Sequence, residues 1–323
     1  MLREKVRSLF HAELYHGWGK TRRYFEGWYY KIVSADEDHA LAFIPGIAMN
    51  EEGQRQAFIQ VLDGKKKTAV YHQFPADEFV PSERKFTIRI GDNLFGAHSI
   101  DLKLPDATGH LKFSQPVRWP NPWYSPNIMG PFSFVPLMQC YHGILSMDHL
   151  ITGQLNVNGR NINFDGGRGY TEKDWGRSFP SAYFWMQSNH FSEPGISLKA
   201  SVARIPWLGS SFVGFIAGVW LRDRLIEFTT YNFTRLRRAW ADHERVELVM
   251  ENRRYRLEIL AHRDATTALA SPILGFMDGR VEESMAARLD VLVTDKKHKT
   301  ILLEDTGRNA GLEAAGKIEE ITI

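Results

Sequence analysis

A chain of 323 residues, 43% hydrophobic and 24% charged, has room for two ordinary domains or one large β domain and enough apolar content for a real core. Its net charge of +2 is spread along the chain, and the longest basic run, Lys65-Lys66-Lys67 after Asp63-Gly64, reads as a solvated hairpin turn, so nucleic acid is excluded as a partner. The single cysteine, Cys140, excludes an internal disulfide and a cysteine-built zinc cage, and its apolar surroundings suit a buried, inert thiol.

The first ten residues carry Arg3, Glu4, Lys5 and Arg7 without an apolar stretch, so no secretory signal is expected. No run reaches the roughly 18 apolar residues of a membrane span, and the expected location is cytoplasmic. Helix is expected mainly over residues 3–13. From there the chain reads as about eighteen short strands. They fall at 25–33, 40–48, 56–62, 69–74, 85–90, 98–104, 110–113, 141–149, 151–157 and 160–164. A second series follows at 183–191, 198–204, 212–221, 224–233, 245–250, 255–261, 287–294 and 300–304. Aromatic residues suit half-buried pleated surfaces, and Glu52-Gly53, Asn158-Gly159 and Asp278-Gly279 mark turns between strands. An all-β fold of barrels or sandwiches follows. The strand series break near residue 179, which predicts two β domains, residues 1–178 and 179–323.

Residues 118–136 interrupt the strands with five prolines, Pro120, Pro122, Pro126, Pro131 and Pro136, and with Trp119, Trp123, Tyr124 and Phe132. That proline density forbids a sheet interior. A long apolar segment of this kind is either a flap packed over a barrel mouth or a mobile lid.

The most informative stretch runs from Gly166 to Phe191. Its first half, with Arg168, Glu172, Lys173, Asp174 and Arg177 among glycines, reads as a charged turn. Its second half alternates as a strand. Tyr183, Trp185, Gln187, Asn189 and Phe191 share one face, and Phe184, Met186, Ser188 and His190 the other. Neither face is simply polar, so the strand reads as a pocket wall. Upstream, Glu26, Trp28 and Tyr30 share a strand face, which presents one carboxylate among aromatics.

Several motifs resemble the tocopherol cyclase family. They are Phe25-Glu26-Gly27-Trp28-Tyr29-Tyr30-Lys31, Pro126-Asn127-Ile128-Met129-Gly130, Cys140-Tyr141-His142-Gly143, Ser146-Met147-Asp148-His149, and the whole of Gly166–Phe191. Ile205-Pro206-Trp207-Leu208-Gly209-Ser210-Ser211 and Asn309-Ala310-Gly311-Leu312-Glu313 also resemble it, so the likeness runs from about Gly17 to Gly316. The family is similar to a wider set of two-domain lipocalin-like proteins that includes carotenoid hydratases. The resemblance implies two lipocalin-like antiparallel β-barrels, with Glu172-Lys173-Asp174-Trp175-Gly176 closing the first and Tyr183-Phe184-Trp185 opening the second. Plant members carry a plastid-targeting extension, and a start so close to the first motif points to a bacterial member.

The activity implied is cyclisation of a prenylated quinol to a chromanol. It needs a proton delivered to a trisubstituted alkene, and a carboxyl in an apolar enclosure can stay protonated for that task. The candidate acids are Asp174, Glu172 and Glu26, with Asp174 first. His142, His190 or a carboxylate could take the quinol proton. Trp28, Tyr30, Tyr183 and Trp185 would stabilise the cation, with Gln187, Asn189 and His190 as further substrate contacts. An elongated apolar cavity lined by Trp28, Tyr30, His142, Trp185 and Gln187 is expected, partly covered by residues 118–136. No cofactor is required, and His142, Asp148 and His149 are too loosely spaced to be expected as a metal site. Trp119, Trp123 and Phe132 could touch a membrane surface. Two alternatives stay open. Arg168, Glu172, Lys173, Asp174 and Arg177 could form one ion-pair network that locks a turn, and the protein could carry a prenyl or polyene lipid without changing it.

Overall fold

The computed structural model describes residues 7–323. Of the helix expected over 3–13, residues 3–6 lie outside the described residues, and residues 7–9 are helical. The regular structure that follows is antiparallel strand apart from three short 3-10 turns. The first sheet has twelve strands: β1 (Tyr24–Val33), β2 (Ala40–Met49), β3 (Arg55–Asp63), β4 (Thr68–Pro75), β5 (Phe79–Pro81), β6 (Thr87–Ile90), β7 (Asn93–Gly96), β8 (Ser99–Lys103), β9 (Ala107–Val117), β10 (Cys140–Val157), β11 (Arg160–Asn163) and β12 (Gly167–Gly176). The second has ten: β13 (Ala182–Ser188), β14 (Ser197–Trp207), β15 (Ser210–Leu221), β16 (Arg224–Thr229), β17 (Arg235–Ala241), β18 (Arg245–Glu251), β19 (Tyr255–His262), β20 (Thr267–Ile273), β21 (Phe276–Asp295) and β22 (Thr300–Gly316). The fold is all-β, with two lipocalin-like barrel sheets.

The chain groups into two compact units. One comprises Met1–Phe179 with Leu269–Arg280, the other Pro180–Ala268 with Val281–Ile323. Within the first unit, the segment around Leu269–Arg280 is bound through Gln60, whose side-chain amide exchanges two hydrogen bonds with the backbone of Ala270 at 3.0 and 2.9 Å. The strand order of the first sheet is β4-β3-β2-β1-β12-β10-β9-β8-β7-β6-β5, with β11 on β10. Here β12, the last strand of the sheet, closes between β1 and β10. Residues 167–176 are therefore a central strand and not the charged turn that their composition suggests. Charged residues fit there because the alternation of a strand sends Arg168, Tyr170, Glu172 and Asp174 to one face and Gly169, Thr171, Lys173 and Trp175 to the other. Similarly, residues 141–149 and 151–157 form one long strand with register shifts near Ser146, not two.

Each unit has its own core. In the first, Trp28, Tyr30, Ile32, Phe43, Phe79, Phe95 and Phe113 pack together. In the second, Phe184 and Met186 pack with Phe215, Phe228 and Leu248. The alternation expected over 183–191 holds for β13 and then fails. Phe191 lies in the same core as Phe184 and Met186, because the strand stops at Ser188 and the chain turns irregular. The Lys65–Lys67 run forms the β3–β4 turn, with the Lys65 and Lys66 amides donating to Asp63 Oδ1 at 3.1 and 3.0 Å.

Candidate functional site

The face of β1 and β12 that looks into the first core carries a buried ion pair. Register sets Trp28 opposite Lys173 and Glu26 opposite Trp175. Lys173 Nζ lies 2.5 Å from Glu26 Oε1, and both side chains are fully buried. Glu26 also accepts from the backbone N–H of His16 and Gly17 and from the Tyr24 hydroxyl. Burial alone would raise the Glu26 pKa, but Lys173 and His16 outweigh it and hold the group below the ordinary carboxylate value. Burial pulls Lys173 below the ordinary lysine value, and the Glu26 charge opposes that pull. Lys173 donates to the carbonyls of Ala12 and Leu14 and lies 4.7 Å from the Trp28 ring centroid and 4.6 Å from that of Trp175. The His16 Nε2–H donates to Ser8 O at 2.9 Å, and Nδ1 faces Lys173 Nζ at 2.7 Å. This assembly ties residues 8–17 to β1 and β12.

The opposite face of the same strands carries a second cluster. His142 on β10 pairs across to Asp174 on β12. Its Nδ1 lies 2.8 Å from Asp174 Oδ1, and its Nε2 lies 3.4 Å from Glu172 Oε2. Tyr170 donates to Glu172 Oε2, and burial followed by the Glu172 charge raises its phenol well above the ordinary value, so it stays a donor. Cys140 Sγ sits 3.9 Å from Asp174 Oδ1, and burial pushes its thiol up as well. Among the described residues, His142, Glu172 and Asp174 are the group whose spacing could hold a metal ion. The two carboxylates, however, face opposite nitrogens of one ring, whereas a single ion would draw both to the same nitrogen. The arrangement clamps the ring between a hydrogen bond on the Asp174 side and the Glu172 charge near the far nitrogen.

The charged residues of 168–177 are thus not one network. Arg168 donates from Nε to Asp148 Oδ1 at 3.0 Å, Lys173 serves Glu26, and Arg177 donates to the Leu137 carbonyl at 3.2 Å. His149, the neighbour of Asp148, turns the other way. Its ring lies 4.6 Å from Phe113, and Gly169 opposite leaves room for it, since a Cβ there would stand 2.2 Å from Nε2. Asp148 and His149 therefore do not converge with His142.

A pocket of about 570 Å³ opens beside the His142 cluster, within the first unit. His142, Tyr141, Trp175 and His16 form one wall. His16 stacks on Trp175 at 4.2 Å, and Trp175 on Tyr141 at 5.5 Å. The other wall comes from the proline-rich segment, including Phe134, Val135 and Leu137. That segment is stapled to β10. Asn127, at φ +50°, exchanges two hydrogen bonds with the backbone of Ile144 at 2.8 and 2.7 Å, and Tyr141 donates to Val135 O at 2.7 Å. It is built as a flap. Trp119 is only 3% exposed, so of the residues expected to face a membrane it is corrected to a buried anchor, whereas Trp123 is 79% exposed.

The structure brings Asp174, Glu172 and His142 together. It places Glu26 on the opposite face of the sheet, and Trp28 and Tyr30 in the first core rather than on the pocket wall. In the second unit, Tyr183, Trp185, Gln187, Asn189 and His190 are buried, with Tyr183 donating to Glu313 Oε2 at 2.6 Å and Gln187 3.4 Å from Asn189. Sequence reasoning missed Lys173 as the partner of Glu26, Tyr170 in the cluster, and His16 and Tyr141 on the pocket wall. Treating 167–176 as a strand would have sorted Lys173 from Asp174 by parity alone.

Residues 111–316 match the family described as tocopherol cyclase-like, well over half of the chain. The chain belongs to the tocopherol cyclase-like family. Among curated relatives it is 25% identical over 201 residues to "Probable tocopherol cyclase, chloroplastic" of Oryza sativa subsp. japonica, which covers 58% of this chain and 42% of that protein. It is 25% identical over 205 residues to "Tocopherol cyclase, chloroplastic" of Zea mays, covering 58% and 41%. The chain thus spans less than half the length of these relatives. The crystal structure of CghA with Sch210972 superposes with a TM-score of 0.55 at 9% identity, covering 91% of this chain and 89% of the other, a likeness of fold. The family match contains β10 and β12, and with them every member of the His142 cluster.

Proposed function

We propose that this tocopherol cyclase-like protein is a cofactor-independent enzyme that cyclises a prenylated quinol, or a related prenyl lipid, to a chromanol. The observation that carries this reading is the His142 clamp, which sets an imidazole between two carboxylates on the wall of an apolar pocket. The Asp174–His142 pair delivers a proton to the less substituted carbon of the prenyl alkene. The tertiary cation that results is attacked by the quinol oxygen, closing the ring, and the phenolic proton returns to the pair. The reaction is redox-neutral and isomeric. Tyr141, with Trp175 stacked behind it, presents a ring face to the cation, and an apolar flap that limits water protects it from capture as an alcohol. Glu172, which accepts from the Tyr170 hydroxyl, sets a negative charge near the far nitrogen of His142.

Glu26 is a weaker candidate as acid, because four donors stabilise it as an anion. Tyr183, Trp185, Gln187, Asn189 and His190 enter the reading as substrate-binding candidates, each testable by its own substitution. Trp123 and Leu137, 79% and 78% exposed, suit contact with the lipid surface in which such substrates dissolve. Incubation with a prenyl- or phytyl-benzoquinol, with chromanol as the readout, tests the reading. Binding without turnover would favour a lipid carrier.

A further inference from the structure

The pocket beside His142 is apolar along its flap wall, and its rim is cationic. Lys20, Arg22, Arg23 and Arg177 all line it, and among its described lining residues there is no aspartate or glutamate. All four are exposed. Arg23 is partly neutralised by Glu51 at 2.7 Å, and Lys20 lies 5.8 Å from the Tyr24 ring centroid. Arg22 and Arg177 add charge on either side of the strand ends. The opposite sign belongs to Asp174 and Glu172, which flank His142. A ligand in this pocket therefore meets positive charge at the rim and the His142 ring on the wall, with both carboxylates against that ring and outside the lining.

Strand register gives the separation. Gly176 pairs with Cys140, and Asp174 pairs with His142 two residues further along. Arg177 follows Gly176, with its N–H donating to Gln139 O at 2.8 Å. Arg177 and Asp174 are three residues apart on nearly extended chain, about 10 Å at the rise of a strand.

We propose that the pocket is built for an amphiphile with an anionic head, a carboxylate, which sits at the Arg22–Arg177 rim while its apolar chain runs inward past His142. A neutral prenylquinol would leave those cations to solvent. The acid head group narrows the ligand class to a prenylated phenol that also carries a carboxylate, within the function proposed above, which needs the phenol oxygen for ring closure. Only the position of the reacting alkene, about 10 Å from the head, rests on that function. The preference for the head group is read from binding alone.

The test uses the full chain and parinaric acid, a polyene fatty acid whose fluorescence reports binding, against its methyl ester. In low salt the acid should bind about tenfold tighter than the ester, and the ratio should shrink as salt screens the rim. Arg22→Gln with Arg177→Gln should bring the ratio towards one, with ester affinity unchanged. His142→Gln should keep the acid preference while abolishing any turnover, which separates a failure of the catalytic reading from a failure of this one. Equal affinity for acid and ester in the wild type overturns the proposal. So does a preference that survives the double arginine variant. If the wild type instead binds phosphatidylglycerol vesicles without distinguishing acid from ester, the rim serves a bilayer surface and the proposal falls.

Discussion

Replacing Lys173 with methionine should destabilise the first unit far more than any surface change. Methionine keeps most of the aliphatic stem packed against Trp28 and Trp175 but removes the charge that lies 2.5 Å from Glu26. Glu26 would keep its donors from His16, Gly17 and Tyr24, yet its charge would stand buried with no cation. Breaking one half of a buried pair costs about 3–5 kcal/mol. At about 2–4 °C per kcal/mol for a unit of this size, the melting temperature should fall by roughly 10 °C. The loss should be local at first, because Lys173 also holds the carbonyls of Ala12 and Leu14, so hydrogen exchange should rise at residues 12–17. Calorimetry on Lys173→Met, Glu26→Gln and the double variant gives the coupling. The double variant should be more stable than the sum of the singles predicts, by about 1–3 kcal/mol. A Lys173→Met protein that melts within about 2 °C of the wild type would refute the argument that charge pairing holds this end of the barrel.

His149 supplies a pH dependence of definite sign. Burial lowers its pKa from 6.5 to about 3, so the unfolded chain takes up a proton before the native one. Stability from this group is complete above pH 6.5 and is lost as pH falls from there towards 3, by about 1.4 kcal/mol per pH unit. Urea unfolding of His149→Gln should show a shallower fall than wild type between pH 6.5 and 4, and parallel curves would contradict the assignment. On the flap, Trp123→Ser with Leu137→Ser should cut liposome flotation about tenfold or more, since each buried large apolar side chain contributes roughly 1.5–3 kcal/mol. Wild-type protein that never floats would remove the membrane contact.

Much of this was legible from residues alone, and the misses share one cause. Strand positions such as β1, β2 and β14 follow from alternation and aromatic content, and the two-barrel reading came from the order of motifs. By contrast, β12 was hidden because Glu172, Lys173 and Asp174 look like a turn when their faces are not separated. A central strand tolerates three charges in a row only if each meets a partner from a neighbouring element, here Glu26 from β1 and His142 from β10. Those partners are more than thirty positions away in Asp174's case and more than a hundred in Lys173's, beyond the reach of a local pattern. The same holds for the pocket. Trp28 and Tyr30 share a face with Glu26, as the alternation requires, but nothing local says whether that face lines a void or a filled core. The proline-rich segment was legible as a cover, whereas its stapling through Asn127 depends on a backbone edge of β10 that sequence does not reveal.

The most direct test of the account is single-turnover cyclisation of a prenylbenzoquinol by wild type, Asp174→Asn, His142→Gln, Glu172→Gln and Glu26→Gln, with ligand binding and melting measured alongside. The account predicts that Asp174→Asn and His142→Gln each lose turnover by about 100-fold or more while affinity and melting temperature hold. Glu26→Gln should keep its turnover per folded molecule and lose stability instead. Turnover that survives both Asp174→Asn and His142→Gln, or that vanishes only with Glu26→Gln, would contradict the claim that the His142 clamp is the proton source.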